Sequence, residues 1–189
     1  MRKISILLLM CISISSYGQT ALTAALGIDF GSPPSTIKAA LNSMGTFDEE
    51  TSTLISYADV QVGTTKAILC NVGIIDNKMH TLSLYYTTQE SQLQSTYDKI
   101  VDIINSKYGE GDSFRNFSGI YTDGDDFESQ AIRLGYADIV TYWKFDDGNI
   151  ICCEQEYIGS AFYVSLTYQD SKLINIAVER AQAKNNSKF

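Results

Sequence analysis

The chain has 189 residues, 44% of them apolar, with 14 Lys+Arg against 22 Asp+Glu, one His, four Cys and two Pro. That is enough apolar content for one globular core, and too little charge for a disordered chain. A single His argues against His-based metal sites, and the acidic balance against a nucleic-acid binder, which needs a basic face.

Met1-Arg2-Lys3 is a short cationic start, followed by an apolar run over 4–14 and small residues at Ser16 and Gly18. This is the layout of a secretory signal peptide, residues 1–18, cut after Gly18. The run is shorter than the ~20 residues a spanning helix needs, so no transmembrane segment is expected after cleavage. A lipoprotein signal fits less well: Cys11 sits inside the apolar run, and Met10 is bulky where a lipobox has a small residue. Removing Arg2 and Lys3 leaves 12 basic against 22 acidic residues, which moves the net charge from −8 to −10. The expected setting is the periplasm or the extracellular space, and so acidic a surface repels nucleic acid and anionic lipid.

Residues 27–31 read as a short strand. Pro33 and Pro34 then suit a first helical turn, and Ile37, Ala40, Leu41 and Met44 recur on one helical face until Gly45. Strand-like runs follow at 53–59, 66–74 and 79–87, joined by turns at Gly63-Thr64 and Asp76-Asn77-Lys78. The pattern then restarts. Residues 89–108 form a longer helix with Leu93, Tyr97, Ile100, Val101, Ile104 and Tyr108 on one stripe, and Gly109 as the stop. Strands at 138–145, 150–157 and 161–168 come after it.

Residues 82–86 and 164–168 share their apolar alternation, and the same alignment places Cys70 against Cys152. The expected architecture is therefore α+β: one antiparallel sheet built from two helix-plus-three-strand repeats, 27–88 and 89–170, with helices packed on one face. An insertion at 110–137 holds a short helix with Phe127, Ala131 and Leu134 inward, and 171–189 is a helical tail. Residues 19–170 make one domain.

No motif identifies a reaction. The lone His80 heads the strand His80-Thr81-Leu82-Ser83-Leu84, where alternation puts it on the face of Leu82 and Leu84 as a structural residue. No Ser sits in a G-x-S-x-G elbow. The acidic run 123–128 lacks the spacing of a calcium loop and reads as a solvated turn before a helix. Glu154 and Glu156 share a strand face and read as its solvent-exposed end. No cofactor and no metal site is expected. The odd count of cysteines after cleavage allows one disulfide, Cys70 with either member of the pair Cys152-Cys153. Cys70–Cys152 is the pairing put forward, and the alternative is three small buried thiols.

Tyrosine is the feature left over, with twelve in the chain. Alternation sends Leu82, Leu84, Tyr86, Phe162, Val164, Leu166 and Tyr168 to a core face, and Tyr85 and Tyr163 to the opposite one with Ser83, Ser165 and Thr167. Tyr57 and Tyr142 are expected to join them. Tyr-Ser-Thr on an open sheet face is a typical contact composition, although strand propensity alone also enriches tyrosine.

Phe30-Gly31-Ser32 leading to Leu41 and Gly45, a three-stranded run, and a second helix ending in Lys107-Tyr108-Gly109 resemble small secreted bacterial domains. These have the beta-lactamase-inhibitor-protein-like fold, shared with outer-membrane-assembly lipoprotein domains. The resemblance implies tandem helix-plus-strand units forming one curved sheet whose open aromatic face grips a partner. The expected function is thus a non-enzymatic binding module that contacts a protein or cell-envelope component through Tyr57, Tyr85, Tyr142 and Tyr163. The alternatives are a small periplasmic carboxylate hydrolase and a cysteine-based redox-responsive protein.

Overall fold

The computed structural model describes residues 21–186; the expected signal peptide lies outside them. A small hairpin, β1 (Ala24–Ala25) and β2 (Ile28–Asp29), turns at Leu26 and Gly27, both in the left-handed region. Then come α1 (Pro34–Leu41), β3 (Thr46–Glu50), β4 (Leu54–Val62), β5 (Thr65–Ile75) and β6 (Lys78–Thr88). A 3-10 turn, Glu90–Gln92, leads into α2 (Leu93–Tyr108), followed by β7 (Asp112–Phe117), α3 (Glu128–Arg133) and β8 (Ala137–Lys144). β9 (Ile150–Ile158), β10 (Ala161–Gln169) and α4 (Ser171–Asn186) complete the chain.

The fold is α+β. Eight strands form one antiparallel sheet in the order β3-β4-β5-β6-β10-β9-β8-β7. β3 to β6, before α2, lie together on one side of the sheet and β7 to β10, after it, on the other, with the seam between β6 and β10. Four strands stand on each side where three are expected, and α3 interrupts the second set between β7 and β8. The additional ones, β3 and β7, are the two edges of the sheet, and β7 begins the segment read as an insertion. At the seam Leu84 lies opposite Leu166, Leu82 opposite Tyr168 and Tyr86 opposite Val164.

Alternation along β6 and β10 gives the sheet two unlike faces. Leu82, Leu84, Tyr86, Phe162, Val164, Leu166 and Tyr168 are all buried on the inner face, as the sequence pattern requires. Against them packs α2, whose Leu93, Tyr97, Ile100 and Ile104 form one helical stripe. α1 adds Ile37 and Leu41, and α3 adds Ala131 and Ile132. Phe127 and Leu134 stay exposed, because α3 has only six residues and both flank its ends.

Polar groups on the inner face are satisfied as they are buried. The Tyr97 and Thr141 hydroxyls share a 2.7 Å hydrogen bond. Trp143 Nε1 donates to Asn105 Oδ1 and to the Gly109 carbonyl, each at 3.0 Å. Gly111 lets the chain after α2 pass close to that indole: a Cβ there would lie 2.7 Å from Trp143 and from Thr141.

α4 packs on β6. Asp170 caps it by accepting the Leu173 N–H, and Arg180 forks onto Asp76 at the β5–β6 turn. Asn149 ties three segments together: its amide donates to the Leu22 carbonyl and its Oδ1 accepts from the Ser171 N–H. No helix among the described residues is long and apolar enough to cross a membrane.

The seam carries the tightest packing prediction. Leu84→Ala is expected to destabilise the fold by about 2–5 kcal/mol in urea denaturation, the usual range for truncating a fully buried leucine. A change below about 1 kcal/mol would contradict the core position given to Leu84.

Candidate functional site

The outer face is built from the residues between those of the core. Cross-strand pairing sets them in rows. One row runs Tyr142, Cys152, Thr167, Ser83, Asn71 and Ser56 from β8 to β4. The next runs Phe114, Val140, Glu154, Ser165 and Tyr85 from β7 to β6. A third pairs Glu156 with Tyr163 and Tyr163 with Thr87. Since α1, α2 and α3 all pack on the inner face, the stretch around β9 and β10 carries none of them.

Tyr85, Tyr142 and Tyr163 therefore stand on the outer face, half-buried among smaller neighbours. Tyr57 does not. It is fully buried on the inner face, in the row of Cys70 and Leu84, and its hydroxyl donates to Asn42 Oδ1 beside α1 at 2.6 Å. Its parity with Ile55, apolar and equally buried, is the signal that places it.

His80 also departs from simple alternation. A bulge in β6 opposite Gly73/Ile74 turns Met79 into the core and leaves His80 on the side of Thr81. The His80 ring lies over Gly73, where any Cβ would meet it at 2.6 Å, and its Nδ1 hydrogen-bonds Thr81 Oγ1. Burial holds its pKa below the ordinary value, with the nearby Asp170 opposing.

The proposed Cys70–Cys152 disulfide is absent, and Cys70, Cys152 and Cys153 are all free. Parity and register explain this. Cys152 points to the outer face and Cys70 to the inner. Cys153 shares the inner row with Cys70, but β10 and β6 lie between them. Three strand spacings are about 14 Å, twice the Cα separation a disulfide tolerates. Burial pushes the Cys70 and Cys152 thiols up to about 12, and Cys153 well up too, so the reactive thiolate is suppressed.

Glu154 and Glu156 are not the solvent-exposed end of their strand. They sit mid-face on β9, half-buried, and burial raises both carboxyls above the usual range. Glu156 and Asp138 push Glu154 up further, while a hydrogen bond from Ser165 works against the rise at Glu156. Glu156 Oε2 is inaccessible and has no hydrogen-bond partner. Tyr85 feels both glutamates and hydrogen-bonds Ser83; Tyr142 feels Glu154 and Asp138. The site thus joins two outer-face tyrosines and three carboxyls into one electrostatically coupled patch.

Two other clusters read differently. A polar cleft of about 400 Å³ between the start of α2 and α3 is lined by Glu90, Glu128, Arg115 and Gln155 among others. Its carboxylates are already held: Glu90 accepts from Ser129 and Arg133, and Glu128 from the Gly124 N–H with Arg115 nearby. In the acidic run, Asp125 accepts the Thr122 and Phe127 N–H groups and Asp123 pairs with Arg115, so these acids shape their own loop. Among the described residues no group of three or more His, Cys, Asp or Glu is placed to hold a metal ion.

Comparison with known protein families, with curated proteins and with solved structures finds no match.

Two measurements follow from the buried ionisable groups. Without reductant, Cys70, Cys152 and Cys153 are expected to react with a thiol reagent in denaturant and to be strongly protected in the native state. A loss of two titratable thiols reversed by reductant would restore a disulfide. The folded state holds the Glu154 and Glu156 protons more tightly than the unfolded chain does. Their ionisation therefore weakens the fold as pH rises from about 4.5 through the raised values, and protonation relieves it. Relative to Glu154→Gln/Glu156→Gln, wild type is expected to gain thermal stability on going from about pH 7 to pH 5, with the His80 contribution common to both. A pH-independent difference would overturn the assignment.

Proposed function

We propose that this chain is an exported, non-enzymatic binding module that holds a protein or cell-envelope component against the outer face of its sheet. The observation that carries the reading is the patch around β9 and β10. Tyr85, Tyr142 and Tyr163 stand there half-buried beside Glu154 and Glu156, on a side that α1, α2 and α3 leave uncovered. Tyrosine suits such a surface because its ring offers large contact area and its hydroxyl a hydrogen bond, with few rotatable bonds to freeze. The neighbouring Ser83, Ser165 and Thr167 are small, so the rings stay half-buried rather than covered. The resemblance to the beta-lactamase-inhibitor-protein-like domains supports the same side of the sheet as the gripping one. The secretory start of the sequence supports an envelope or extracellular partner.

The test is site-specific photo-crosslinking in envelope extract. A photoreactive phenylalanine analogue at 163 is expected to trap a discrete partner that the same analogue at 103, on the exposed side of α2, does not. Tyr85→Ala with the probe retained at 163 should abolish the adduct. Equal trapping from 103 and 163, or an adduct indifferent to Tyr85→Ala, would refute a binding role for the outer face.

A further inference from the structure

The charges of the outer face specify what kind of partner fits it. Asp138, Glu154 and Glu156 stand together there, close enough that Glu156 and Asp138 both disfavour the charge on Glu154. None of the ion pairs among the described residues involves any of the three. Asp138 has only a long contact from the Asn116 amide, at 3.4 Å. The cross-strand neighbours of Glu154 are Val140 and Ser165, and that of Glu156 on β10 is Tyr163: none is cationic. Around them Tyr85 and Tyr142 exclude water without supplying charge.

Desolvated like charges without a counter-charge weaken a fold, and elsewhere among the described residues the buried polar groups and the acids of the α2–α3 cleft have partners. The inner-face hydroxyls and indole are paired, and Glu90, Glu128, Asp76 and Asp123 each have a cation or donor. On the outer face no cation stands beside Glu154 or Glu156, and Glu156 Oε2 has no hydrogen-bond partner within the fold. Two carboxylates at i and i+2 of one strand lie about 7 Å apart along it, a span one ammonium or guanidinium group can bridge. The tyrosine rings beside them add an attractive surface for the same cation.

We infer that the outer face receives a cationic segment of a partner protein, with a lysine or arginine side chain seated between Glu154 and Glu156 and against the rings of Tyr85 and Tyr163. The inference rests on the proposed binding role of that face and names its partner's chemistry. The net charge of −10 after signal cleavage steers such a segment toward the molecule, and the unpaired carboxylates fix where it docks.

Fluorescence anisotropy with a labelled octalysine peptide, at an ionic strength of about 0.15 M, tests this. Glu154→Gln/Glu156→Gln is expected to weaken binding at least about tenfold, or about 1.4 kcal/mol. Asp98→Asn/Asp102→Asn on α2 removes the same charge on the opposite side of the sheet, and should weaken it less than about twofold. Removing unpaired charges does not endanger the fold, so the glutamine pair should melt no lower than wild type at pH 7, and a lost signal is then not unfolding. Equal weakening by both pairs would show attraction by bulk charge and overturn the inference, as would no binding of octalysine at all. If octalysine fails while crosslinking from position 163 survives, the binding face stands and only its cationic partner falls.

Discussion

The pairing of β6 with β10 is the constraint on which the rest depends. It joins the four strands before α2 to the four after it in one sheet, and it fixes which side of every central strand faces the helices. A slip of one residue would send Leu82, Leu84 and Tyr86 to the outer side and bring Ser83 and Tyr85 under α2. The opposed leucines at the seam, Leu84 and Leu166, make that slip costly, since both would leave the core together. The helices need this register as much as the sheet does. Tyr97 reaches Thr141 and Trp143 reaches Asn105 only with β8 presenting its odd-numbered residues inward.

The same parity divides the chemistry of the chain. Vicinal Cys152 and Cys153 go to opposite faces, so no converging thiol pair is available, and Cys153, on the face of Cys70, is separated from it by β10 and β6. Glu154 and Glu156 go to the same face, where burial leaves both carboxyls reluctant to ionise and the charge of Glu156 adds to the effect at Glu154. On the inner side Tyr97 is partnered by Thr141 and Trp143 by Asn105; on the outer side Ser56, Asn71, Ser83 and Thr167 are partnered and Glu156 Oε2 is not. Departures of this kind from local consistency concentrate where a protein makes contact rather than where it holds itself together.

Much of this was legible in the sequence, because a sheet with one buried face writes its alternation into the chain. The six inner strands, the α2 stripe and the turn at Asp76-Asn77, where both residues take positive φ, follow from pattern alone. The edge strands did not show. β3, Thr-Phe-Asp-Glu-Glu, is exposed at every position, and β7 is exposed or half-buried throughout, so neither alternates. A bulge leaves no periodic trace either, which is why His80 was assigned to the face that Met79 takes. Tyr57 was readable from Ile55, two residues away, but an aromatic in a strand attracts a functional reading before a packing one. The thiol geometry required the order of strands across the sheet, which no local pattern encodes. Of the candidate site, the tyrosines were visible by parity. The importance of Glu154 and Glu156 was not, since desolvation depends on what the neighbouring strands place beside them.

The two edges of the sheet are not alike, and this bears on how the molecule behaves in a crowd. An unpaired edge is a template for another chain's strand. β3 closes its edge with three consecutive acids, Asp48, Glu49 and Glu50, which repel the same edge of a second copy. β7 carries one acid, one arginine and two phenylalanines, and presents no such barrier. Two like edges would meet with least repulsion through β7. Antiparallel pairing of β7 with itself is a two-fold arrangement that exhausts both available edges at the first step. The acidic strand thus disfavours the pairing of two β3 edges, and the like-edge pairing that carries no such repulsion is the closed one through β7.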